Sequence, residues 1–348
     1  MIRLQNIPSQ SKIIDFVAKN EKSSPKDIQN HTVSITRPTL SRYLKELKEL
    51  TIIVPSGRGR STTYSLSKVG IKSYPYDLSL YDSPHQTTEP ILFNHSLFEY
   101  CPTLFTEDEK RILEKTNTFY NAWGKSTGTE YQALAFERCA IEFSWKSSKI
   151  EGNTYTLLET ENLIKNREEA HGKDHNDAVM ILNQKHVFDL MYEDKIFTTI
   201  SAPTLIDIHK LLVQDLPISH GIRTNNVGIT GTQYSPLGIS SQIHEALEDL
   251  FKLLPKIKDP LEQAIVALAG IAYIQPFADG NKRTSRHFAN LILHLSNLPP
   301  VAWRTVNEVE YKKAMIAFYE LGNIEPIKEM WVRHYQETVA AFFSNGKK

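Results

Sequence analysis

Cysteine is almost absent. Cys101 and Cys139 are the two in 348 residues, too few for a disulfide framework, so a reducing compartment, the cytoplasm, is the expectation. Long apolar runs are missing too. The longest, Ala264 to Ile274, is too short to cross a bilayer as a helix. The opening Met1-Ile2-Arg3-Leu4-Gln5-Asn6 lacks an apolar secretory core. No membrane partner is therefore expected. Net charge is zero, from 40 basic and 40 acidic residues, and no internal repeat or low-complexity tract occurs. A content of 41% hydrophobic and 23% charged residues excludes a wholly disordered chain. The length suggests two or three domains.

The zero balance conceals an asymmetry. Residues 1–70 hold 12 Lys and Arg against five Asp and Glu, a net of +7, so the remainder carries −7. A basic head on an acidic body suggests a polyanion partner for the head alone. That head, 1–70, reads as three helices and a hairpin. Ser24-Pro25 and Thr36-Arg37-Pro38 each start a helix, and Leu40, Leu44, Leu47 and Leu50 keep helical spacing. Two β-rich runs, Thr51–Pro55 and Thr62–Leu66, flank the basic loop Ser56–Arg60. This order resembles a winged helix-turn-helix domain, whose third helix enters the major groove of DNA. Here Arg37, Thr39, Ser41, Arg42, Tyr43 and Lys45 would face outward and Arg58 and Arg60 would tip the wing. The same pattern also serves as a protein-interaction or dimerisation module.

Residues 71–103, with Pro75, Pro84 and Pro90, have no sustained period and read as a linker. From 104 to 348 the pattern is helical. Helices are expected over 107–123, 130–150, 155–170, 174–193, 202–216, 239–255, 260–274, 281–296, 307–320 and 325–344. One β signal, 227–236, reads as a small hairpin around Gly231. The expected fold class is mainly α, an all-α bundle with one β-hairpin behind an α+β head.

The most informative stretch is Gln275-Pro-Phe-Ala-Asp-Gly-Asn-Lys-Arg-Thr-Ser-Arg286. Pro276 stops an apolar helix and a new one begins near Asn281, so the segment is a tight loop entering a helix N-terminus. The free N–H groups and dipole of that terminus favour an anion. Gly280 permits close backbone approach. Asp279 supplies the hard oxygen that Mg²⁺ prefers. Arg283 and Arg286, three apart, share a helix face and can clamp phosphate oxygens. Together they describe a Mg²⁺–polyphosphate cradle, although each residue taken singly has an ordinary structural explanation.

This stretch resembles the Fic family signature, H-x-F-x-D/E-G-N-x-R-x-x-R, at Phe277, Asp279, Gly280, Asn281, Arg283 and Arg286, with Gln275 in place of the His. Ser147-x-x-x-Glu151-Gly152-Asn153 resembles the family's inhibitory motif on a helix of about 135–153, preceding a core of about 200–300. Thr230-Gly231-Thr232-Gln233-Tyr234 resembles its target-binding flap, and His220-Gly221-Ile222-Arg223 the approach to it. The resemblance implies a protein adenylyltransferase that moves AMP from ATP, with Mg²⁺, onto a Ser, Thr or Tyr hydroxyl of a target protein. Asp279 would ligate the metal, while Gly280, Asn281, Lys282 and Arg283 would hold phosphates. Arg286 would take the γ-phosphate unless Glu151 pairs with it. Gly280 favours AMP transfer over the phosphate transfer of Doc-like relatives. A second copy of the chain is a further candidate partner.

Gln275 is the departure. The family His accepts the hydroxyl proton, and an amide has no usable basicity near neutral pH. An inactivated variant of a His enzyme, a nucleotide-binding pseudoenzyme coupled to a DNA-binding head, and a protein with another base all fit; His287 lies too far into the next helix to be a good base. Removal of AMP, with Glu151 positioning water, is a further alternative. His171, His175 and His186 lack metal-ligand spacing.

Overall fold

Capping chemistry sets where most helices begin. In the computed structural model, which describes residues 7–20, 22–80, 90–193 and 196–344, the Ser24 hydroxyl accepts from Asp27 N at 3.2 Å. Thr106 accepts from Glu109 N at 3.2 Å, Thr156 from Glu159 N at 3.2 Å and Asp259 from Leu261 N at 2.8 Å. Each side chain supplies an acceptor that the first helical turn lacks. In chain order the elements are α1 (Ile7–Lys19), α2 (Pro25–His31), α3 (Arg37–Glu49), β1 (Ile53–Ser56), β2 (Thr63–Leu66), β3 (Ile91–Leu92), α4 (Glu107–Ser126), α5 (Thr129–Ile150), α6 (Leu157–Asn166), α7 (His175–Tyr192), α8 (Ala202–Leu212), β4 (Tyr234–Ser235), α9 (Ser240–Leu253), α10 (Pro260–Ile274), α11 (Asn281–Leu295), α12 (Glu308–Leu321) and α13 (Glu325–Phe342). The chain is mainly helical, and all ten helices expected beyond residue 104 are present, α6 and α8 ending about four residues early. No helix among the described residues is long and apolar enough to span a membrane.

Two compact units divide the chain. The first comprises Met1–Pro102, Gly228–Pro236 and Lys312–Ile327. Its core gathers Ile13, Ile14, Val17, Ile28, Leu40, Leu44 and Leu47 from the three short helices, with Tyr74, Tyr76, Ala317 and Leu321. Tyr43 also lies in this core rather than on the outer face of α3, because positions 40, 43, 44 and 47 form one continuous apolar stripe. Strands β1 and β2 pair antiparallel, Ile53 opposite Leu66, and Ser23 bridges to Tyr64 beside them. Arg37, Arg42, Lys45, Arg58 and Arg60 are all exposed. Residues 71–80 and 90–103, read as linker, contribute Tyr74, Tyr76 and β3 to this unit; residues 81–89 lie outside the described residues. The Lys72 ammonium is buried against the Leu321 carbonyl at 3.1 Å. Burial brings its pKa down to about 8.

The segment 227–236 turns at Gly231 and yields β4, which pairs in parallel with β3, Ile91 opposite Tyr234. Its strand partner thus comes from the 71–103 stretch and not from a second strand of its own.

The second unit comprises Thr103–Val227, Leu237–Tyr311 and Lys328–Lys348. Its centre is α10, whose residues Ala264 to Ile274 are all buried. A helix apolar on every side belongs inside a bundle. Helix α11 packs along α10, with α5, α7 and α8 also against α11. The turn joining α10 to α11 carries the Gln275–Arg286 stretch.

Candidate active site

Helix α10 ends by placing Gln275 in the left-handed region, φ 52°. A non-glycine residue pays about 1–2 kcal/mol for that conformation, so it persists because the surroundings impose it. The Arg223 guanidinium, itself buried, donates from Nε to the Gln275 carbonyl at 2.7 Å, and Arg223 N donates to Pro276 O at 3.0 Å. Asn281 closes the loop from the other side. Its Oδ1 accepts from Phe277 N at 2.8 Å, and its Nδ2 donates to Phe277 O at 2.8 Å and to Gln275 Oε1 at 3.0 Å. Gln275 Nε2 donates to Ala272 O at 2.6 Å. Both ends of the glutamine amide are thus engaged by the fold.

Helix α11 opens at Gly280, φ 81°, with no side-chain cap. Its first N–H groups therefore retain their capacity for an anion. Beside them lies Arg283, whose side chain is 2% exposed. One nitrogen, Nη2, is 3.4 Å from Asp279 Oδ2, while Nε and Nη1 have no hydrogen-bond partner among the described residues. Burial depresses its pKa against the pull of Asp279 and Glu151. A buried charged donor without an acceptor is unfavourable by at least about 1–3 kcal/mol. Open donors on a buried cation are suited to an anionic acceptor such as a phosphate oxygen. The Asp279 carboxylate accepts from Gly280 N at 2.6 Å and is 68% exposed. A hard oxygen facing outward beside an anion site fits a Mg²⁺ ligand.

Arg286 is the opposite case. It is fully buried and all of its nitrogens are occupied. Nε donates to Ser147 Oγ at 2.9 Å, Nη1 to Tyr311 OH at 3.2 Å, and Nη2 to Ser147 O and Glu151 Oε1, each at 2.8 Å. The expected Glu151–Arg286 pair is therefore present, with Ser147 of the same motif on the same guanidinium. A second cation completes the grip: Lys282 Nζ lies 2.7 Å from Glu151 Oε2. Burial alone would raise the Glu151 carboxyl, but Arg286 and Lys282 together outweigh it and hold the pKa at about 2. The motif geometry follows from α5, which ends at Ile150; Gly152, φ 100°, reverses the chain, and Asn153 donates to Asp177 O at 2.9 Å to anchor the exit.

Sequence reasoning placed Lys282 with the phosphates and did not foresee its bond to Glu151. Tyr311 and His209 escaped it altogether. His209 sits on the buried face of α8 between Leu205, Ile208 and Leu212, a face whose other polar member is Thr204. Its ring stacks on Phe277 at 3.7 Å and 3°, and Nε2 donates to the Asp279 carbonyl at 3.0 Å. Burial brings its pKa down to about 4, against the opposing pull of the Asp279 carbonyl. His287 is buried edge-on against Phe143 at 4.8 Å, with neither ring nitrogen hydrogen-bonded among the described residues, and burial next to Arg286 and Arg283 pushes its pKa well down. It is packing, not a base. The flap residues Thr230 to Tyr234 belong to the first unit. There Tyr234 is buried and stacked on Tyr319 at 5.5 Å, Thr232 Oγ1 donates to Glu320 at 2.5 Å, and Gln233 O accepts from Ile91 N at 2.9 Å.

Comparison with known proteins converges on the same stretch. Residues 199–293 match the Fic/DOC family model. The protein adenylyltransferase fic-1 of Caenorhabditis elegans is 27% identical over 199 residues, 56% of this chain and 39% of that protein. The protein adenylyltransferase Fic of Nematostella vectensis is 27% identical over 218 residues, 61% of this chain and 50% of that protein. The chain thus spans half or less of these curated relatives. Among solved structures, residues 134–508 of C. elegans Fic-1 share the fold at a TM-score of 0.57 and 19% identity, over 68% of this chain and 71% of that one. A Fic family protein from Desulfovibrio desulfuricans G20 does so at 0.57 and 21%, over 69% and 76%. The turn that strains Gln275 and leaves Arg283 unsatisfied therefore lies within the stretch that matches the Fic/DOC family model.

Proposed function

We propose that this chain is a self-restrained Fic protein. It binds Mg²⁺-ATP where α11 begins, and its chemistry is transfer of AMP to a Ser, Thr or Tyr hydroxyl of a target protein. The observation that carries this reading is the buried Arg283 guanidinium with two unpartnered nitrogens beside an uncapped helix N-terminus. First-turn N–H groups, Arg283 and Lys282 would hold the polyphosphate, and Asp279 would ligate Mg²⁺, which when bound neutralises charge on the phosphates. In transfer, the hydroxyl oxygen bonds to the α-phosphorus, the bond to the bridging oxygen breaks, and pyrophosphate leaves. The hydroxyl proton needs an acceptor, and Gln275 is not one. Loss of a positioned base lowers the rate by about 10²–10⁴. Glu151 would restrain the site by occupying Arg286 and repelling a γ-phosphate.

A second reading is favoured by Gln275 itself, whose amide is tied to Ala272 and Asn281. In it the domain binds nucleotide without turnover and regulates the head. The exposed Arg37, Arg42, Lys45, Arg58 and Arg60, on a helix–helix–helix–hairpin head of winged-helix pattern, support contact with duplex DNA. The deciding experiment is label transfer by the Gln275→His, Glu151→Gly double variant. ATP labelled at the α-phosphate should modify protein and ATP labelled at the γ-phosphate should not. Transfer of the γ-label would mean kinase chemistry; transfer of neither would favour the regulator.

A further inference from the structure

We infer that His209 is a positioning residue for the metal-ligating carboxylate, setting the divalent-cation affinity of the site without touching the ion. The inference rests on the reading of Asp279 as the Mg²⁺ ligand. The Asp279 side chain projects outward, and among the described residues its hydrogen bonds are local, Oδ1 with the next residue's N–H and Oδ2 at 3.4 Å from Arg283. Its direction is therefore governed by its own backbone. From outside the loop, the hydrogen bond to that residue's main chain is the one from His209 Nε2 to the Asp279 carbonyl at 3.0 Å.

The imidazole is well placed to hold it. Helix α8 is a rigid support, His209 is fully buried, and its ring lies flat on Phe277, two residues before Asp279, at 3.7 Å. One side chain thus fixes the loop at two points, through a ring face and through a carbonyl. The next residue packs on the same ledge: a Cβ placed on Gly280 would lie 3.6 Å from His209 Cδ2 and 3.5 Å from Val213. Since Nε2 carries the proton, Nδ1 is the bare nitrogen, and it has no hydrogen-bond partner among the described residues. Among the described residues the ring has no competing hydrogen bond to turn it away from Asp279. Groups that orient a metal ligand without binding the metal change metal affinity by about 10–100-fold when removed.

The test uses the full chain carrying Glu151→Gly, with ATP binding followed by calorimetry across a Mg²⁺ titration. His209→Phe keeps the ring on Phe277 and deletes the donor. It should raise the Mg²⁺ concentration for half-maximal enhancement of ATP binding about tenfold, while Mg²⁺-free ATP binding stays within about twofold. Asp279→Ala should abolish the enhancement, and His209→Phe added to it should change nothing further. Equal weakening with and without Mg²⁺ in His209→Phe would make the residue merely structural and overturn the inference. Mg²⁺ enhancement surviving in Asp279→Ala would instead overturn the reading of Asp279 on which the inference stands.

Discussion

Replacing Glu151 removes one carboxylate from between two cations, and the structure sets the size of the effect. The carboxyl is held at about 2, against an ordinary value of 4.5. At about 1.4 kcal/mol per pKa unit, the ion pairs exceed the burial penalty by about 3 kcal/mol. That figure gives the order of magnitude of what ATP would have to displace to reach Arg286 through its γ-phosphate, on the order of 100-fold in affinity. The effect on folding should be smaller. Arg286 keeps Ser147 Oγ, Ser147 O and Tyr311 OH as acceptors, and Lys282, 27% exposed, can turn to water. Glu151→Gly should therefore destabilise by about 1–3 kcal/mol, less than the loss expected for stripping one partner from a fully buried pair. Glu151→Gln keeps the volume and discards the charge. Calorimetry of ATP into the native chain and both variants should show affinity rising in both, by between tenfold and 100-fold. Unchanged affinity in both would mean that the Glu151–Arg286 pair is a helix-end brace and does not exclude nucleotide.

Four further outcomes follow from the same geometry. Lys282→Ala should tighten ATP binding when Glu151 is present, by loosening the grip on its carboxylate, and weaken it when Glu151 is Gly, by removing a phosphate contact; a double-mutant cycle reading the same sign in both backgrounds would dismiss the dual role. A carboxylate with a depressed pKa stabilises the fold above its ordinary value and loses that contribution as pH falls through its folded value, so the Glu151 contribution should be complete above about pH 4.5 and vanish only towards about pH 2. The difference in melting temperature between native and Glu151→Gln chains across that range measures it. Gly280→Ala should lower stability by about 1–2 kcal/mol through its φ of 81° alone, since the added Cβ meets nothing closer than 3.5 Å; a denaturation midpoint unchanged from the native chain would contradict this. Binding of the full chain to duplex DNA should weaken steeply with salt and across all sequences in the Arg58→Ala, Arg60→Ala variant, and failure to shift any duplex at low salt would favour a protein-interaction head.

Much of this was legible because helical spacing is redundant. Leu40, Leu44 and Leu47, and the caps at Ser24 and Asp259, each state the local structure twice, by period and by terminus chemistry. The loop that enters α11 was legible because Asp279, Gly280, Arg283 and Arg286 fall within eight residues and their geometry is set by one turn. What was not legible depended on long-range contact. His209 lies 70 residues before the carbonyl it holds, and nothing in a helix of Leu, Ile and His says which loop will cross it. Lys282 reaches Glu151 because α5 ends against α11, a fact of packing that sequence does not order. β4 finds its partner in β3, more than 140 residues upstream, so two residues of strand could be read only as a local hairpin. Tyr43 was misplaced because an aromatic with a polar tip suits either the core or the surface of a helix.

The central claim is that the α10–α11 turn is a phosphate site and that Arg283 is its anchor. The most direct measurement is ATP affinity of the full chain with Glu151→Gly, compared with the same chain carrying Arg283→Met, a neutral replacement of similar volume that leaves no charge buried. The account predicts that ATP binds the first and that affinity falls at least about tenfold in the second, as expected for loss of charged hydrogen bonds worth about 1.5–3 kcal/mol. Equal affinity in the two, or no binding in either, would contradict it.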